Sequence, residues 1–264
     1  MIADQMADVL REAAQRAVLP RYQSLAENDI EEKTPGDLVT IADREAETII
    51  AKGLAGIRPN ARFVGEEACA RSPQLLKHLD EGEVWIVDPI DGTGNYASGS
   101  GPFAMMAALA RHGELVAACI LNPLTGEALR AERGAGAWRD GARLRPSVGA
   151  KSLSSLTGII SDFQRPTAME QQVARVAQSA AHIAGTQRCA GAEYPLVASG
   201  EVGFALYWRT LVWDHAPGVL ILEEAGGQVA RLDGTRYRVT DQRAGLLLAH
   251  SPDVWDQAAA ALSR

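Results

Sequence analysis

Residues 84–96, VWIVDPIDGTGNY, constrain the fold of this chain more than any other stretch. Residues 84–87 are apolar and rich in β-branched side chains, which predicts a buried strand. The motif DPIDGTG follows at once, so Asp88 and Asp91 come at the carboxyl end of that strand, where open sheets place their ligands. Gly92 and Gly94 allow the backbone amides to approach a ligand closely. These features suit a joint site for a metal ion and a phosphate, and an ordinary Asp-Pro-Gly turn explains the same residues equally well.

Size and composition are those of a globular protein. The chain has 264 residues, of which 47% are hydrophobic and 22% are charged, so it can bury a large core as one big domain or two lobes. The pattern of predicted elements changes near residue 150, from successive strands to alternating strands and helices. This predicts a boundary there, with an α+β half over residues 1–150 and a smaller α/β half over residues 151–264. The net charge of −7 argues against a nucleic-acid partner, because such surfaces carry basic patches.

Cysteine usage and the N-terminus indicate a cytoplasmic protein. The three cysteines are far apart and form no C-x-x-C pair, so neither a zinc knuckle nor a disulfide framework is predicted. The first residues, MIADQMADVL, lack the basic start and apolar core of a signal peptide. No apolar run reaches the ~20 residues that span a bilayer, so we expect no membrane partner.

The first half predicts a helix, then short strands. Apolar residues recur at helical spacing from residue 2 to about 25. The acidic residues 26–36 predict a loop, either plain surface or a lid that offers Lys33 to a phosphate. An extended piece over residues 37–40 enters a helix with Thr40 or Ala42 near its N-cap. A strand is predicted over residues 62–65, a polar connector with a weak helix over residues 68–82, and an antiparallel meander from 103 to 141.

The second half alternates strands and helices, as a layered α/β unit does. Pro217 fits the first turn of a helix, which predicts that Asp214 lies near the N-cap. The predicted strands are residues 156–160, 202–208, 228–232 and 246–249, and the predicted helices are residues 166–180, 191–199, 213–225 and 252–262.

Five acids lie at the ends of predicted elements, namely Asp43, Glu66, Asp88, Asp91 and Asp214. Each has an ordinary alternative: dipole complementation for Asp43, a solvated pair for Glu66, and an N-cap for Asp214. Clustered carboxylates would repel one another without cations. Mg²⁺ takes oxygen ligands, and no thiol or histidine cluster favours zinc or iron instead.

Four ordered motifs resemble the inositol monophosphatase family. They are GEE at residues 65–67, WIVDPIDGTGNY at 85–96, WDHAPG at 213–218 followed by EAGG at 224–227, and the upstream DLVT at 37–40 with Asp43. The match covers nearly the whole chain. The resemblance implies a layered αβαβα sandwich of the inositol monophosphatase type, a homodimer, and a Mg²⁺-dependent, lithium-sensitive phosphomonoesterase acting on a small phosphate ester.

The resemblance also implies roles for individual residues. Glu66, Asp88 and the Ile90 carbonyl would hold one Mg²⁺; Asp88, Asp91 and Asp214 would hold a second, and Glu66 would help to place a weaker third. Thr93 with Asp43 would orient and deprotonate the attacking water. The amides of Gly92 and Thr93 would hold the phosphate. The predicted substrate-binding set is Asp91, Gly92, Thr93, Gly191, Ala192, Tyr207, Arg209 and Asp214.

The chain departs from the family pattern at three positions. Gly94 stands where threonine is usual, and Pro217 where alanine is usual. Tyr207 stands seven residues before Asp214, where inositol-hydrolysing members carry a glutamate that contacts hydroxyls. A missing hydrogen-bond partner reduces discrimination for hydroxyls. Arg209 meets either a second phosphate or carboxylate, or only solvent.

Several functions therefore remain open at this point. The ester is an inositol phosphate, another sugar phosphate such as fructose 1,6-bisphosphate, a nucleotide 3',5'-bisphosphate or histidinol phosphate. A catalytically weak binding or regulatory protein that keeps the fold is the alternative from another class. A dinucleotide-binding protein is disfavoured because no G-x-G-x-x-G follows a strand.

Overall fold

The computed structural model describes residues 1–145 and 152–263, so the predicted boundary at residue 150 lies outside the described residues. The helices are α1 Ile2–Ala13, α2 Ile41–Ile57, α3 Glu66–Arg71, α4 Thr93–Ala97, α5 Glu170–Ser179, α6 Ala190–Ser199, α7 Val212–Glu224 and α8 Pro252–Ser263. The strands are β1 Ile30–Thr34, β2 Asp37–Thr40, β3 Arg62–Gly65, β4 Glu83–Asp91, β5 Ala104–Arg111, β6 Glu114–Leu121, β7 Ala128–Glu132, β8 Gly136–Arg139, β9 Ala142–Arg143, β10 Thr157–Ile160, β11 His182–Ala184, β12 Phe204–Tyr207, β13 Gln228–Ala230 and β14 Leu246–Ala249.

The elements stack as helix, sheet, helix, sheet and helix layers. α1 and α2 cover one face of a seven-stranded sheet, and α6 and α7 lie between its other face and a five-stranded sheet. α5 and α8 close the far side of the five-stranded sheet. The predicted αβαβα sandwich is therefore confirmed. None of the helices within the described ranges has both the length and the apolarity to cross a bilayer.

The seven-stranded sheet runs in chain order from β3 to β9. Only β3 and β4 are parallel, and the remaining neighbours form the predicted antiparallel meander. Side chains of β5 alternate between the two cores: Met105 packs toward α1 and α2, whereas Met106 packs toward α7. Both methionines are fully buried.

The five-stranded sheet is mixed, with the order β11-β10-β12-β14-β13. Its first three strands are parallel, and β14 runs antiparallel to β12 and β13. β11 was not predicted, because His182–Ala184 is too short to show a period.

The β4–β5 pairing contains the irregularity that shapes the site. Asp88 pairs with Met106 and Asp91 with Ala104, so three steps along β4 match two steps along β5. This extra residue is a β-bulge, and it cancels the usual alternation between Asp88 and Asp91. Since Met106 and Ala104 belong to the same core, both aspartates face the α6–α7 layer.

Several predicted boundaries are wrong. Residues 26–36 are not a loop, because β1 pairs with β2 in a two-stranded hairpin. The connector predicted over residues 68–82 begins inside α3. The helix predicted to residue 25 ends as an α-helix at Ala13 and continues as a π segment and a 3₁₀ turn, where Pro20 lacks the N–H that an α-helix needs.

Pro217 lies deeper in its helix than predicted. α7 begins at Val212, so Pro217 is its sixth residue and Asp214 its third. The proline has no N–H to donate to the Trp213 carbonyl one turn earlier. Both Trp213 and Pro217 are buried, so packing of the surrounding layers holds this helix across the lost hydrogen bond.

We expect Gly218→Ala to destabilise the protein. A Cβ at this position would lie 2.3 Å from the ring of Tyr194, which is fully buried and hydrogen-bonded to His215. Overpacking of this kind costs about 1–3 kcal/mol, which a lower midpoint of chemical denaturation would reveal.

Gly56→Ala provides the matched control. Gly56 lies in α2, and no atom lies within 4 Å of the place that an alanine methyl group would take, so alanine adds no clash and gains helix propensity. Its denaturation midpoint should be unchanged or higher. An equal loss of stability in both variants would show that the Tyr194 contact is not the cause.

Candidate active site

Most of the predicted site residues surround a cavity of about 520 Å³; Asp43 is not among the residues that line it. Its wall is formed by the end of β4, the hairpin β1–β2, the segment after β10, the segment before α6, and the start of α7. The predicted residues that line it are Glu66, Asp88, Ile90, Asp91, Gly92, Thr93, Tyr207, Arg209 and Asp214. The structure therefore brings together predicted site residues from three of the four motifs, up to 148 positions apart from Glu66 to Asp214.

Asp88 and Asp91 lie at the floor of the cavity. Asp88 is 2% exposed, and among the described residues its Oδ1 has no hydrogen-bond partner. Asp91 Oδ2 accepts hydrogen bonds from the Gly191 amide at 2.5 Å and the Cys189 thiol at 3.3 Å. A Cβ on Gly191 would lie 2.6 Å from the Ala104 methyl carbon, so glycine is required for this close approach.

Glu66 is the first residue of α3, and Glu47 fixes the start of that helix. Glu47 Oε2 accepts the Glu67 amide at 2.8 Å. Gly65 leaves room for this contact, since a Cβ there would lie 2.2 Å from the same oxygen. Glu66 is thereby held at the mouth of the cavity, with its side chain 12% exposed.

Lys33 from the hairpin contacts both acids of the GEE motif. Its Nζ lies 2.7 Å from Glu66 Oε1 and 2.9 Å from Glu67 Oε1. Burial by itself would lower the pKa of Lys33, but the charges and hydrogen bonds of the two glutamates outweigh it and raise that pKa. Lys33 is therefore a fixed positive charge at the edge of the acidic cluster, and its contact with a phosphate stays a prediction.

Asp43 serves as a helix cap and also contacts Thr93. Its Oδ2 accepts the amide and hydroxyl of Thr40 in a capping box at the start of α2. Its Oδ1 lies 3.2 Å from Thr93 Oγ1, which also lies 2.8 Å from the Ile90 carbonyl oxygen. The predicted Thr93–Asp43 contact is therefore formed. Asp43 also lies in the first turn of α2, where the alternative, complementation of the helix dipole, applies as well.

Asp214 enters the cavity from the first turn of α7 and meets Arg209. The Arg209 guanidinium lies 3.7 Å from Asp214 Oδ2. Next to Asp214, His215 bridges the Arg209 carbonyl and the Tyr194 hydroxyl, each at 3.1 Å. Burial lowers the pKa of His215 to about 4, so this imidazole is neutral at pH 7 and acts as a structural bridge.

Burial and mutual repulsion raise the pKa of every acid in the cluster. Burial is the largest cause throughout; it raises the pKa of Glu66 to about 8, of Asp91 to about 7 and of Asp214 to about 6. Asp88 rises well above its ordinary value, because the charges of the other three add to its burial. The pKa of Asp43 rises to about 7 by burial, which hydrogen bonds from Thr40 and Thr93 oppose.

The donor set fits a hard divalent cation. All the donors are carboxylate or carbonyl oxygens, and the unpartnered Asp88 Oδ1 is the kind of buried acceptor that an ion satisfies. Within residues 1–145 and 152–263, however, no three His, Cys, Asp or Glu side chains are already grouped to hold one ion. The ion pair between Lys33 and Glu66 is one reason, because it directs the Glu66 carboxylate to the ammonium group.

The far wall of the cavity contains residues that the sequence did not single out. Glu193 is fully buried and accepts hydrogen bonds from Tyr207, Thr186 and the Gln187 amide. Phe163 and Arg188 also line the cavity, together with Ala190, whereas Gly191 and Ala192 are not among the lining residues described. An acid inside the apolar run AGAEYPLV was the one available signal for Glu193.

Comparison with known proteins adds to this geometry. The sequence model of the inositol monophosphatase family matches residues 2–264. An inositol-1-monophosphatase of Rhizobium meliloti is 37% identical over 206 residues, which cover 76% of this chain and 75% of the relative. A fructose-1,6-bisphosphatase/inositol-1-monophosphatase of Thermotoga maritima is 32% identical over 213 residues, covering 78% and 77%. The crystal structure of extragenic suppressor protein suhB from Bartonella henselae has a TM-score of 0.85 at 26% identity, covering 100% of this chain and 98% of that one.

This chain belongs to the inositol monophosphatase family. The predicted resemblance is confirmed, and so is the enzyme class: the protein is a phosphatase, a phosphoric monoester hydrolase. The family is generally metal-dependent, which agrees with the oxygen donors around Asp88.

We expect the metal-free protein to lose stability as the pH rises from 5.5 to 8. The folded state raises the carboxyl pKa values to between about 6 and 8, above their unfolded values near 4, so it binds more protons than the unfolded state. That contribution is complete below the unfolded pKa and is lost as the pH passes through the folded values. Thermal unfolding in a chelator should give a lower midpoint at pH 8.

Asp88→Asn tests whether the cluster causes this dependence. Removing its central charge should make the decrease between pH 5.5 and 8 smaller than in the unaltered protein. Adding Mg²⁺ should raise the midpoint of the unaltered protein more at pH 8 than at pH 5.5, because ionised carboxylates bind cations. Equal pH dependence in both proteins would contradict the assignment.

Proposed function

We propose that this protein is a Mg²⁺-dependent phosphomonoesterase that hydrolyses a small phosphorylated metabolite by direct attack of water. The observation that carries the proposal is the orientation of Asp88 and Asp91. A β-bulge turns both into the same buried cavity, and Asp88 Oδ1 has no hydrogen-bond partner among the described residues. Buried carboxylates in this arrangement are ligands for cations rather than scaffold.

The metal ligands follow the assignment made from the motifs. Glu66, Asp88 and the Ile90 carbonyl would hold one ion, and Asp88, Asp91 and Asp214 a second, with Glu66 near a weaker third. The ions would offset the charge of the phosphate dianion and make the attacking water more acidic. To take part, Glu66 has to exchange its contact with Lys33 for one with the ion.

Thr93 and Asp43 would handle the proton of the attacking water. Thr93 Oγ1 can accept a hydrogen bond from water while it donates its own proton to Asp43 Oδ1, 3.2 Å away. Thr40 occupies the other oxygen of Asp43, so Oδ1 is the one directed at Thr93. The raised pKa of Asp43, about 7, suits a base that works near neutral pH.

The backbone at Gly92 and Thr93 would hold the phosphate. Gly92 has φ +85°, and a Cβ there would lie 3.1 Å from the Pro102 carbonyl oxygen and 3.2 Å from Cys189 Cβ. Glycine thus permits the turn that points these amides toward the ester. Positioning and charge supply the catalysis, and no covalent nucleophile is required.

Family resemblance alone supports the remaining details. A cytoplasmic homodimer inhibited by lithium is the form we propose. The candidate esters are inositol phosphates, fructose 1,6-bisphosphate, nucleotide 3',5'-bisphosphates and histidinol phosphate. The Thermotoga maritima relative, whose name joins fructose-1,6-bisphosphatase with inositol-1-monophosphatase, supports a range wider than inositol phosphates.

Asp88→Asn should abolish Mg²⁺-dependent hydrolysis of a generic phosphomonoester such as p-nitrophenyl phosphate. Loss of a ligand for both ions should lower kcat/KM by more than about 100-fold, since even indirect supports of a metal site are worth 10–100-fold. Phosphate release is the measurement. Asp80→Asn, at an exposed acid outside the cavity, should retain the original activity.

Absence of phosphatase activity would contradict the proposed function. If the pure protein with Mg²⁺ hydrolyses no member of a broad panel of phosphate esters, the protein is a binding or regulatory protein that keeps the fold, and the enzymatic proposal fails.

In such a panel, inositol 1-phosphate should not lead by a wide margin. The position from which the family contacts inositol hydroxyls carries Tyr207, and its hydroxyl is already bonded to Glu193. Relative kcat/KM values across the panel provide the measurement. A clear preference for inositol 1-phosphate would mean that Tyr207 does not weaken hydroxyl recognition.

A further inference from the structure

The carboxylate of the far wall, that of Glu193, is engaged with groups of the protein itself. The Glu193 carboxylate accepts the Thr186 hydroxyl at 2.8 Å, the Gln187 amide at 2.5 Å and the Tyr207 hydroxyl. The Tyr207 hydroxyl therefore donates its one hydrogen bond within the protein. A sugar-like ring is recognised through hydrogen bonds to its hydroxyls, and Glu193 already accepts three of the roughly four hydrogen bonds that a carboxylate can take.

Arg209 is the opposite case, because its donors are largely unused. The guanidinium stacks over the Phe163 ring, with Cζ 4.8 Å from the ring centroid. Its one ion pair in the described part of the chain is the 3.7 Å approach to Asp214, which is too long for a hydrogen bond. The side chain is 29% exposed and lines the cavity, so these N–H groups face the space where a substrate would lie.

The backbone on both sides of Arg209 is held firmly. His215 bonds to the Arg209 carbonyl at 3.1 Å. The next residue, Thr210, donates to the Arg243 carbonyl at 2.8 Å and accepts from the buried Arg231 at 3.0 Å. A cationic side chain that is stacked, and supported on a fixed backbone, is oriented before a ligand arrives.

Positive charge also lines the cavity. Arg209 lies beside the acidic cluster, 3.7 Å from Asp214, and Arg188 lines the same cavity at an exposed position. If Asp214 turns to a cation, Arg209 loses the one carboxylate it approaches among the described residues. A partly buried guanidinium left in this way is stabilised by an anion that enters with the substrate.

We infer that the wall formed by Phe163 and Arg209 binds a second anionic group, a carboxylate or a second phosphate, on the phosphomonoester substrate. This inference rests on the proposed function and adds the substrate class to it. The ester phosphate lies at the β4 end, and the second anion meets Arg209, with Arg188 at the rim adding positive charge. Esters of neutral polyols fill the same space without engaging either arginine.

Matched pairs of substrates test the inference in the presence of Mg²⁺. 3-Phosphoglycerate and glycerol 3-phosphate differ by a carboxylate, and fructose 1,6-bisphosphate and fructose 1-phosphate differ by a second phosphate. In at least one pair, the unaltered enzyme should show a higher kcat/KM for the member with the extra anion, by roughly 10- to 100-fold, the value of a hydrogen bond to a charged group. The two pairs distinguish a carboxylate from a phosphate.

Variants then assign the preference to Arg209. In Arg209→Gln the ratio within the preferred pair should fall to near one, and Arg209→Lys should keep part of it. Arg238→Gln removes an exposed arginine outside the cavity and should keep the original ratio. The Mg²⁺ concentration for half-maximal activity should change little in Arg209→Gln, which separates substrate binding from an effect through Asp214.

Two results would overturn the inference while leaving the phosphatase intact. One is an unaltered enzyme that does not distinguish the members of either pair. The other is an Arg209→Gln variant that loses activity on both members equally. A different result is that neither the unaltered protein nor any variant hydrolyses any of the esters. That result would contradict the proposed function and the inference together.

Discussion

Mutual repulsion among buried carboxylates is the constraint on which this structure depends. Glu66, Asp88, Asp91 and Asp214 share one cavity, and burial together with neighbouring negative charge raises each pKa. In water such a group would separate or protonate. Here the packing of three hydrophobic cores keeps the carboxylates close together, so binding of protons or cations lowers their electrostatic repulsion. Lys33, which contacts Glu66 and Glu67, is the positive charge that the chain itself supplies.

The backbone holds the cluster together by two devices. The bulge in β4 turns Asp88 and Asp91 to one face, which regular alternation would forbid for residues three apart. The other two acids come from the first turns of helices, Glu66 as the first residue of α3 and Asp214 as the third of α7. The positive end of a helix dipole favours a carboxylate there, so part of the repulsion is offset before any ion binds.

Local patterns predicted the strands and the acids but not the irregularities. The apolar run before Asp88 and the antiparallel meander that follows it depend on near neighbours, and both predictions are confirmed. The bulge is invisible in a strand whose residues are nearly all buried, because no alternation remains to show an extra residue. The hairpin β1–β2 was missed for the opposite reason: its charged residues resemble a loop, and its pairing becomes evident only in three dimensions.

The same distinction separates the chemistry of the site from its selectivity. Motifs that carry the bond-breaking groups are contiguous, so the sequence was sufficient to propose Thr93, Asp43 and the metal ligands. Tyr207 could be recognised as a departure, but its partner Glu193 lies fourteen residues away and meets it only because α6 packs against β12. The replacement therefore does more than delete a carboxylate. It directs the Tyr207 hydroxyl to Glu193 within the protein, whereas the Arg209 guanidinium keeps, among the described residues, the 3.7 Å approach to Asp214 as its ion pair.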